Sequence, residues 1–223
     1  VRVSVNPKRD RYETALWTVP VEGGEARQFT AGPHDLSPRW SPDGKQIAFL
    51  RAVEKEGKIQ PAQLYLIPAS GGEAQSLTEI PRGAGSHRWS PDGKSIAFTS
   101  SASAEDLAQK KAPASEASAE RQSDVRVITQ AVYRFNDAGY LDPKRRRHIW
   151  RVAVPGGGEP KQLTSGSFDE TNPSWSPDGS QVVYTAVPPD DEESRRLFLV
   201  NADGTGARQV TSAPGTWRDI DAS

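Results

Sequence analysis

Trp40-Ser41-Pro42-Asp43-Gly44 is the stretch that decides the fold, because it returns as Trp89-Ser90-Pro91-Asp92-Gly93 and again as Trp175-Ser176-Pro177-Asp178-Gly179. A looser block alternates with it: Leu16-Trp17…Gly23-Gly24-Glu25…Phe29-Thr30, Leu64-Tyr65…Gly71-Gly72-Glu73…Leu77-Thr78, Ile149-Trp150…Gly157-Gly158-Glu159…Leu163-Thr164 and Leu197-Phe198…Gly204…Val210-Thr211. These blocks begin at residues 16, 64, 149 and 197, so the period is about 48, widened once by an insertion of about 37 residues. A fixed period of this length is the signature of a repeat architecture, in which each unit buries its apolar surface against its neighbours.

One unit reads as four short strands. Strand A, Leu36 to Ser41, places Leu36, Pro38 and Trp40 at period two. Pro42, Asp43 and Gly44 then supply a tight reversal: Pro presets φ, Asp tolerates the second central position, and Gly takes the positive φ. Strand B is Gln46 to Arg51, strand C Gln63 to Pro68 and strand D Ala74 to Thr78, with Ser70-Gly71-Gly72 reversing the chain between C and D. Strands B and C are apolar at consecutive positions, as in Ile47-Ala48-Phe49-Leu50 and Leu64-Tyr65-Leu66-Ile67, so both faces are buried. A sandwich strand would alternate. Four-stranded antiparallel sheets covered on both faces by their neighbours are propeller blades, and the fold expected is an all-β propeller of about four repeats. The units run over residues 1–30, 34–78, 85–164 with an insertion at 101–146, and 170–211, with the start of a next blade at 214–223.

Within the insertion, Ser101 to Ser123 is rich in Ala, Ser, Glu and Lys without an aromatic residue, the composition of a loop or a loose exposed helix. Asp124 to Phe135 is an extended run, Asn136 to Gly139 a turn, and Lys144-Arg145-Arg146-Arg147-His148 leads back into strand C, so an extra ribbon is expected on this blade.

Composition removes several functions. With 28 Lys plus Arg against 29 Asp plus Glu, the net charge of −1 lacks the basic surplus that nucleic-acid binding needs. Without Cys there is no thiolate zinc site and no cysteine nucleophile. Apolar runs stop at four residues, far short of the roughly 20 that cross a bilayer as a helix. Val1 to Val5 does not read as a signal peptide.

Few residues read as chemistry. No Ser sits in Gly-x-Ser-x-Gly, and His34, His87 and His148 fall in loops or at the start of a strand, which leaves a Ser–His–Asp triad without its orienting context. Asp43, Asp92 and Asp178 are explained by hydrogen bonding within their turns, the repeated Trp residues by packing between blades, and Asn201-Ala202-Asp203-Gly204 by a hairpin turn in preference to a calcium loop. The run Arg145-Arg146-Arg147 is either a solvated loop or a set of guanidiniums that hold a carboxylate, such as a peptide terminus, in bidentate fashion. No cofactor or metal is expected.

Trp-Ser-Pro-Asp-Gly-Lys followed by Ile-Ala-Phe, Leu-Tyr and Gly-Gly-Glu…Leu-Thr resembles the propeller repeat shared by TolB-type proteins and serine peptidases of the prolyl oligopeptidase superfamily. Asp124 to Tyr140 with Arg147-His148-Ile149-Trp150 resembles the strand before His-Leu-Trp in acylaminoacyl-peptidase-like members. That resemblance implies a seven- or eight-bladed propeller of which this chain is a piece, capping an α/β-hydrolase domain that holds the catalytic Ser, Asp and His. Nothing catalytic transfers onto this chain. The implied role is gating of the active site to short peptides, with Tyr133, Arg134, Arg145, Arg146 and Arg147 near the cavity. The implied partners are the hydrolase domain of the same protein and short peptides, with self-association a further expectation and no nucleic acid or membrane. The implied location is the cytoplasm. The competing reading is a TolB- or WD40-like scaffold that docks proteins on its rim and would be periplasmic if TolB-like; a third is a complete four-bladed propeller with a ligand in its channel. Arg2 to Val5 is expected to align with strand B, and the absence of Met together with a chain beginning at Val1 is expected of a fragment.

Overall fold

The computed structural model of the chain describes residues 1–8, 11–111, 134–135, 139–140, 145–188 and 194–211. Three four-stranded antiparallel sheets carry the repeat, each with its strands in sequence order A, B, C, D. The second unit is Asp35–Trp40, Gln46–Arg51, Gln63–Pro68 and Gln75–Ser76. The third is His87–Trp89, Ser95–Ser100, His148–Ala153 and Gly157–Gln162, and the fourth Glu170–Trp175, Gln181–Ala186, Arg196–Asn201 and Arg208–Gln209. The first unit contains Arg2–Val5 paired with Tyr12–Ala15, and Trp17–Thr18 paired with Arg27–Gln28.

Packing follows from the unbroken apolar runs. Alternate residues of strands B and C point to opposite faces, so each blade feeds two interfaces. Leu16 of the first unit meets Ile47, Phe49 and Ile67 of the second. Ala48, Leu64 and Leu77 of the second meet Ile96, Phe98, Trp150 and Val152 of the third. Ala97, Ile149 and Leu163 of the third meet Trp175, Val182, Tyr184, Phe198 and Val200 of the fourth. The core is therefore a series of layers between sheets, as a propeller requires.

Two recurrent devices set the strand geometry. In each Ser-Pro-Asp-Gly turn the Ser hydroxyl donates to the Asp carboxylate at 2.6 Å and accepts the backbone N–H that opens strand B, at 3.0 Å in the case of Gln46. The Gly of each turn takes φ near +70°. The Thr that ends each block accepts the backbone N–H of the first apolar residue of strand C: Thr30 from Leu16, Thr78 from Leu64, Thr164 from Ile149 and Thr211 from Leu197, at 2.9–3.1 Å. A β-branched hydroxyl residue thus closes the ladder where strand D ends.

Three sequence expectations change. In strand A, Ser37 and Asn172 sit at φ of +54° and +52°, each before a Pro. The ladder steps from Leu36↔Leu50 to Arg39↔Ala48, a bulge of one residue, so Leu36, Pro38 and Trp40 do not share a simple period-two face. Arg2 pairs with Ala15, which sets Val1 level with Leu16 as Leu50 is level with Leu64. Arg2 therefore matches Arg51, the last residue of strand B, and Val3 to Val5 match the segment beyond it. In the insertion, Ala104–Lys111 is a helix that is neither loose nor fully exposed at its start. Ser103 caps it by accepting from Asp106 N–H at 3.1 Å, while the buried Asp106 carboxylate accepts from Ser103 N–H and hydroxyl. Farther on, Arg134–Phe135 pairs with Gly139–Tyr140 as a short hairpin. Residues 112–133, 136–138, 141–144 and the expected next blade at 214–223 lie outside the described residues.

Candidate functional site

Sequential antiparallel strands separate the connections into two sides. The A–B and C–D turns lie at one end of every blade and are short and repeated. The B–C and D–A connections lie at the other end and vary: a hairpin of Glu54–Lys55 with Lys58–Ile59, the insertion after Ser100, and the loops at 79–86 and 165–169. Loops of variable length on a fixed scaffold are where function concentrates.

Around the insertion, the described charged residues of that side form two groups. Asp106, in the first turn of the insertion helix, receives Arg145 on both carboxylate oxygens and has Arg82 Nε at 3.8 Å. Burial opposes its ionisation, but the hydrogen bonds from Arg145 and Ser103 prevail and hold its pKa below the usual carboxylate value. Arg145 comes from the far end of the insertion, so this ion pair ties the departing and returning chain together at one neck. Lys110 adds a second tie to the carboxylate and carbonyl of Glu79.

Arg146 and Arg147 meet the loop before the fourth blade. Arg147 N–H donates to Asp169 Oδ1 at 2.7 Å, its carbonyl accepts from Glu170 N–H at 2.9 Å, and the residue is exposed. The Arg146 guanidinium stands 3.9 Å from Asp169, outside hydrogen-bonding range, and its Nε is buried without a hydrogen-bond partner among the described residues. Of the three arginines, one is committed to a structural ion pair, one displays its side chain to solvent, and Arg146 has an unspent donor in a half-buried setting. Arg134 lies on the short hairpin, and Tyr133 falls outside the described residues. Beside the helix, Leu77, Ile80, Leu107 and Pro160 floor an open hollow of about 420 Å³ rimmed by Glu79 and Lys110.

Among the described residues the histidines build no Ser–His–Asp constellation. His87 opens strand A of the third blade and is buried. His148, at the start of strand C, places Nδ1 3.4 Å from the buried carboxylate of Glu170, and the Thr164 hydroxyl donates to the same oxygen. Hydroxyl and imidazole converge on one carboxylate instead of on each other, so the imidazole does not stand as base to the hydroxyl. The Tyr184 phenol beside this group is pushed above its ordinary pKa, by burial and then by the Glu170 charge. The turn carboxylates are lowered by local hydrogen bonds: the Ser176 hydroxyl, Ser180 N–H and Ser180 hydroxyl bring Asp178 to about 2, and Asp43 and Asp92 shift the same way. They are satisfied turn residues, and among the described residues no group of three or more His, Asp or Glu could hold a metal ion.

The repeated Trp side chains join blades, as the spacing implies. Trp89 Nε1 donates to Arg39 O and Trp175 Nε1 to Arg88 O, both at 3.1 Å. Sequence reasoning missed the Asp106–Arg145 tie; the Ser103-x-x-Asp106 capping pattern signals the helix start, but nothing local signals a partner 39 residues away.

Comparison with known proteins is consistent with this geometry. The family described as TolB beta propeller domain matches residues 11–221. A curated relative, the uncharacterized peptidase YuxL of Bacillus subtilis, is 31% identical over 187 residues, covering 83% of this chain and 27% of that protein. Among solved structures, the acylaminoacyl peptidase of Pyrococcus horikoshii superposes with a TM-score of 0.67 at 17% identity, over 94% of this chain and 30% of that one. A putative TolB of Agrobacterium tumefaciens superposes with a TM-score of 0.57 at 20% identity, over 93% and 58%. The chain thus spans about a quarter of the length of its curated relative. At these identities the two structures establish the propeller fold.

Proposed function

This chain belongs to the family of TolB β-propeller domains, and on that premise we propose that it is the propeller module of a serine peptidase, set against an α/β-hydrolase domain of the same protein and limiting access to short peptides. The observation that carries the proposal is the 31% identity to a peptidase over most of the chain. The variable side supports it, because it gathers the insertion, the hairpin and the arginine run at one end of the blades.

Within this reading the arginines divide their work. Arg146 takes the peptide carboxylate on the part of its guanidinium that reaches solvent beside Asp169, and Arg147 and Arg134 are the further candidates, with Tyr133 outside the described residues. Arg145 positions the insertion through Asp106. In the peptidase that carries this module, Arg146→Ala raises KM for short peptides with a free C-terminal carboxylate by about tenfold or more, the value of a lost charge-assisted hydrogen bond, and leaves kcat nearly unchanged. Peptides amidated at the C-terminus show no such rise. A KM that is unchanged for both, or raised equally for both, removes Arg146 from this role.

The family match favours one second reading, a binding scaffold of TolB type. A full-length protein that contains the propeller but hydrolyses no peptide decides for it.

A further inference from the structure

The second blade departs from the repeat in one charged pair. Five residues before the Trp of strand A, the three four-stranded blades carry Asp35, Ala84 and Glu170, and at the end of strand B they carry Arg51, Ser100 and Ala186. Only in the second blade do these two places hold an ion pair. Asp35 is fully buried, and Arg51 reaches both its oxygens from Nε and Nη2 at 2.7 and 2.8 Å. A buried pair is a poor source of stability, because taking both charges out of water costs about as much as their attraction returns. Its effect here is to fix a guanidinium in one orientation, with the rings of Phe49 and Tyr65 at 5.0 and 5.2 Å from it. The remaining terminal nitrogen, Nη1, donates to nothing among the described residues and is not buried.

Arg51 lines an open hollow of about 460 Å³ in the cleft between the first and second units, together with Phe29, Gly32, Ile67, Glu73 and Ala74. Space over the ion pair is kept by a glycine: a Cβ on Gly32 would stand 2.7 Å from Asp35 Oδ1 and 2.8 Å from Arg51 Nε. Phe29, Ile67 and Ala74 are apolar, and Arg51 and Asp35 cancel in charge. Glu73 is exposed and makes no ion pair among the described residues, so the hollow carries a single unbalanced negative charge.

The next cleft along the chain shows what such a place accepts. Between the second and third blades, Thr78, Glu79 and Ile80 match Thr30, Ala31 and Gly32, and Glu159 matches Glu73. There the insertion helix lays Leu107 against the apolar core and brings Lys110 to the carboxylate and carbonyl of Glu79. One apolar side chain and one ammonium, three residues apart, thus line that cleft from within the chain. No described segment does the same between the first and second units.

We propose that the cleft between the first and second units docks a peptide segment of another protein, which places an apolar side chain against Phe29, Ile67 and Ala74, a backbone carbonyl on Arg51 Nη1 and a basic side chain at Glu73. A carbonyl suits Arg51 better than a second carboxylate does, because Asp35 already neutralises the guanidinium and Glu73 repels an anion. The site does not depend on the peptidase reading, and its test involves no hydrolysis.

The probe is acetyl-Leu-Lys-amide, titrated into the chain and followed by proton–nitrogen NMR at the amides of Gly32, Glu73 and Ala74 and at Arg51 Nε–H. Saturable shifts at these groups are expected, with a Kd of roughly 0.1–5 mM for a ligand this small. Replacing Lys by Gln in the probe weakens binding about two- to fivefold, the worth of an exposed charge pair, and replacing Leu by Ala weakens it at least about fivefold. Glu73→Gln changes an exposed rim residue and leaves the fold intact; with it the Lys and Gln probes bind alike. No saturable shift at these groups up to about 20 mM probe overturns the proposal. Binding of acetyl-Leu-Glu-amide as tight as that of the Lys probe, an Ala probe that binds as well as the Leu probe, or a Lys preference that survives Glu73→Gln overturns it as well.

Discussion

His87 stands where the other blades place Pro38 and Pro173, and replacing it should reduce the pH dependence of stability. Its imidazole is buried, and neither ring nitrogen completes a hydrogen bond. Burial lowers its pKa to about 4; the carbonyls of Ala48 and Gly85 lie close enough to favour the proton slightly, and the charges of Arg39 and Arg88 disfavour it further. The unfolded side chain titrates near 6.5. Above that value both states are neutral and stability is at its full level. Below it the unfolded chain binds a proton that the folded chain refuses, and stability falls by about 1.4 kcal/mol for each pH unit until pH 4, a total of about 3 kcal/mol. At pH 5 the loss relative to pH 7 is about 2 kcal/mol, which moves a urea midpoint by roughly 1 M for an ordinary denaturant slope. The lowered turn carboxylates Asp43, Asp92 and Asp178 lose their contribution only below pH 4, so the interval from 6.5 to 4.5 separates them from His87. His87→Leu removes the titration and the two stranded nitrogens together. Followed by Trp fluorescence, its urea midpoint should vary less between pH 7 and pH 5 than that of the unaltered chain, by about 1 M. His34 and His148 are common to both proteins, so the difference isolates His87. Parallel midpoint-against-pH curves would refute the reasoning.

Two further outcomes separate specific contacts from general packing. Gly157 and Gly158 both have positive φ, but a Cβ on Gly157 would stand 2.6 Å from Leu77 O of the adjacent blade, and one on Gly158 would meet nothing within 4 Å. Both Ala variants carry the backbone cost of about 1 kcal/mol, and Gly157→Ala should cost at least about 1 kcal/mol more by urea unfolding; equal costs would mean that the blades do not meet there. Thr78→Val keeps the shape but strands Leu64 N–H and leaves the Gln63 amide oxygen with Ile80 N–H alone, with an expected loss of about 1–3 kcal/mol, whereas Thr78→Ser keeps the hydroxyl and should lose clearly less.

Much of the fold was legible because its causes are local and repeat. Pro42-Asp43-Gly44 forces the same reversal wherever it occurs, and the unbroken apolar runs of strands B and C admit only a doubly covered sheet. What stayed hidden depends on partners distant in sequence or on a departure from the repeat. The bulge at Ser37 and Asn172 needs a positive φ at non-glycine residues, which Asn tolerates better than most but which Ser37 does not announce. His87 reads as a loop or strand-entry histidine, and only the packed strand shows that its ring is buried. Of the arginine run, residue type showed only that carboxylates were welcome; it took the fold to give Arg145 to Asp106 and to leave Arg146 with an unpaired donor.

The contrast between the two ends of the blades has a physical origin that bears on where function resides. An A–B turn stacks on its neighbour: a Cβ on Gly93 would touch Pro42 at 3.7 Å, and one on Gly179 would touch Pro91 at 3.6 Å. A change in one turn is therefore felt in the next, and the sequence there stays close to Ser-Pro-Asp-Gly. A B–C connection leaves from the middle of the sheet, so extra length can extend away from the blade as long as its two ends stay anchored. In the third blade Asp106 and Arg145 make that anchor between the beginning and the end of the insertion. An insertion held in this way can change its outer sequence without disturbing strands B and C, which pair over six residues from Ser95↔Ala153 to Ser100↔His148. The same blade can thereby combine a fixed inter-blade core with an outer element of variable sequence.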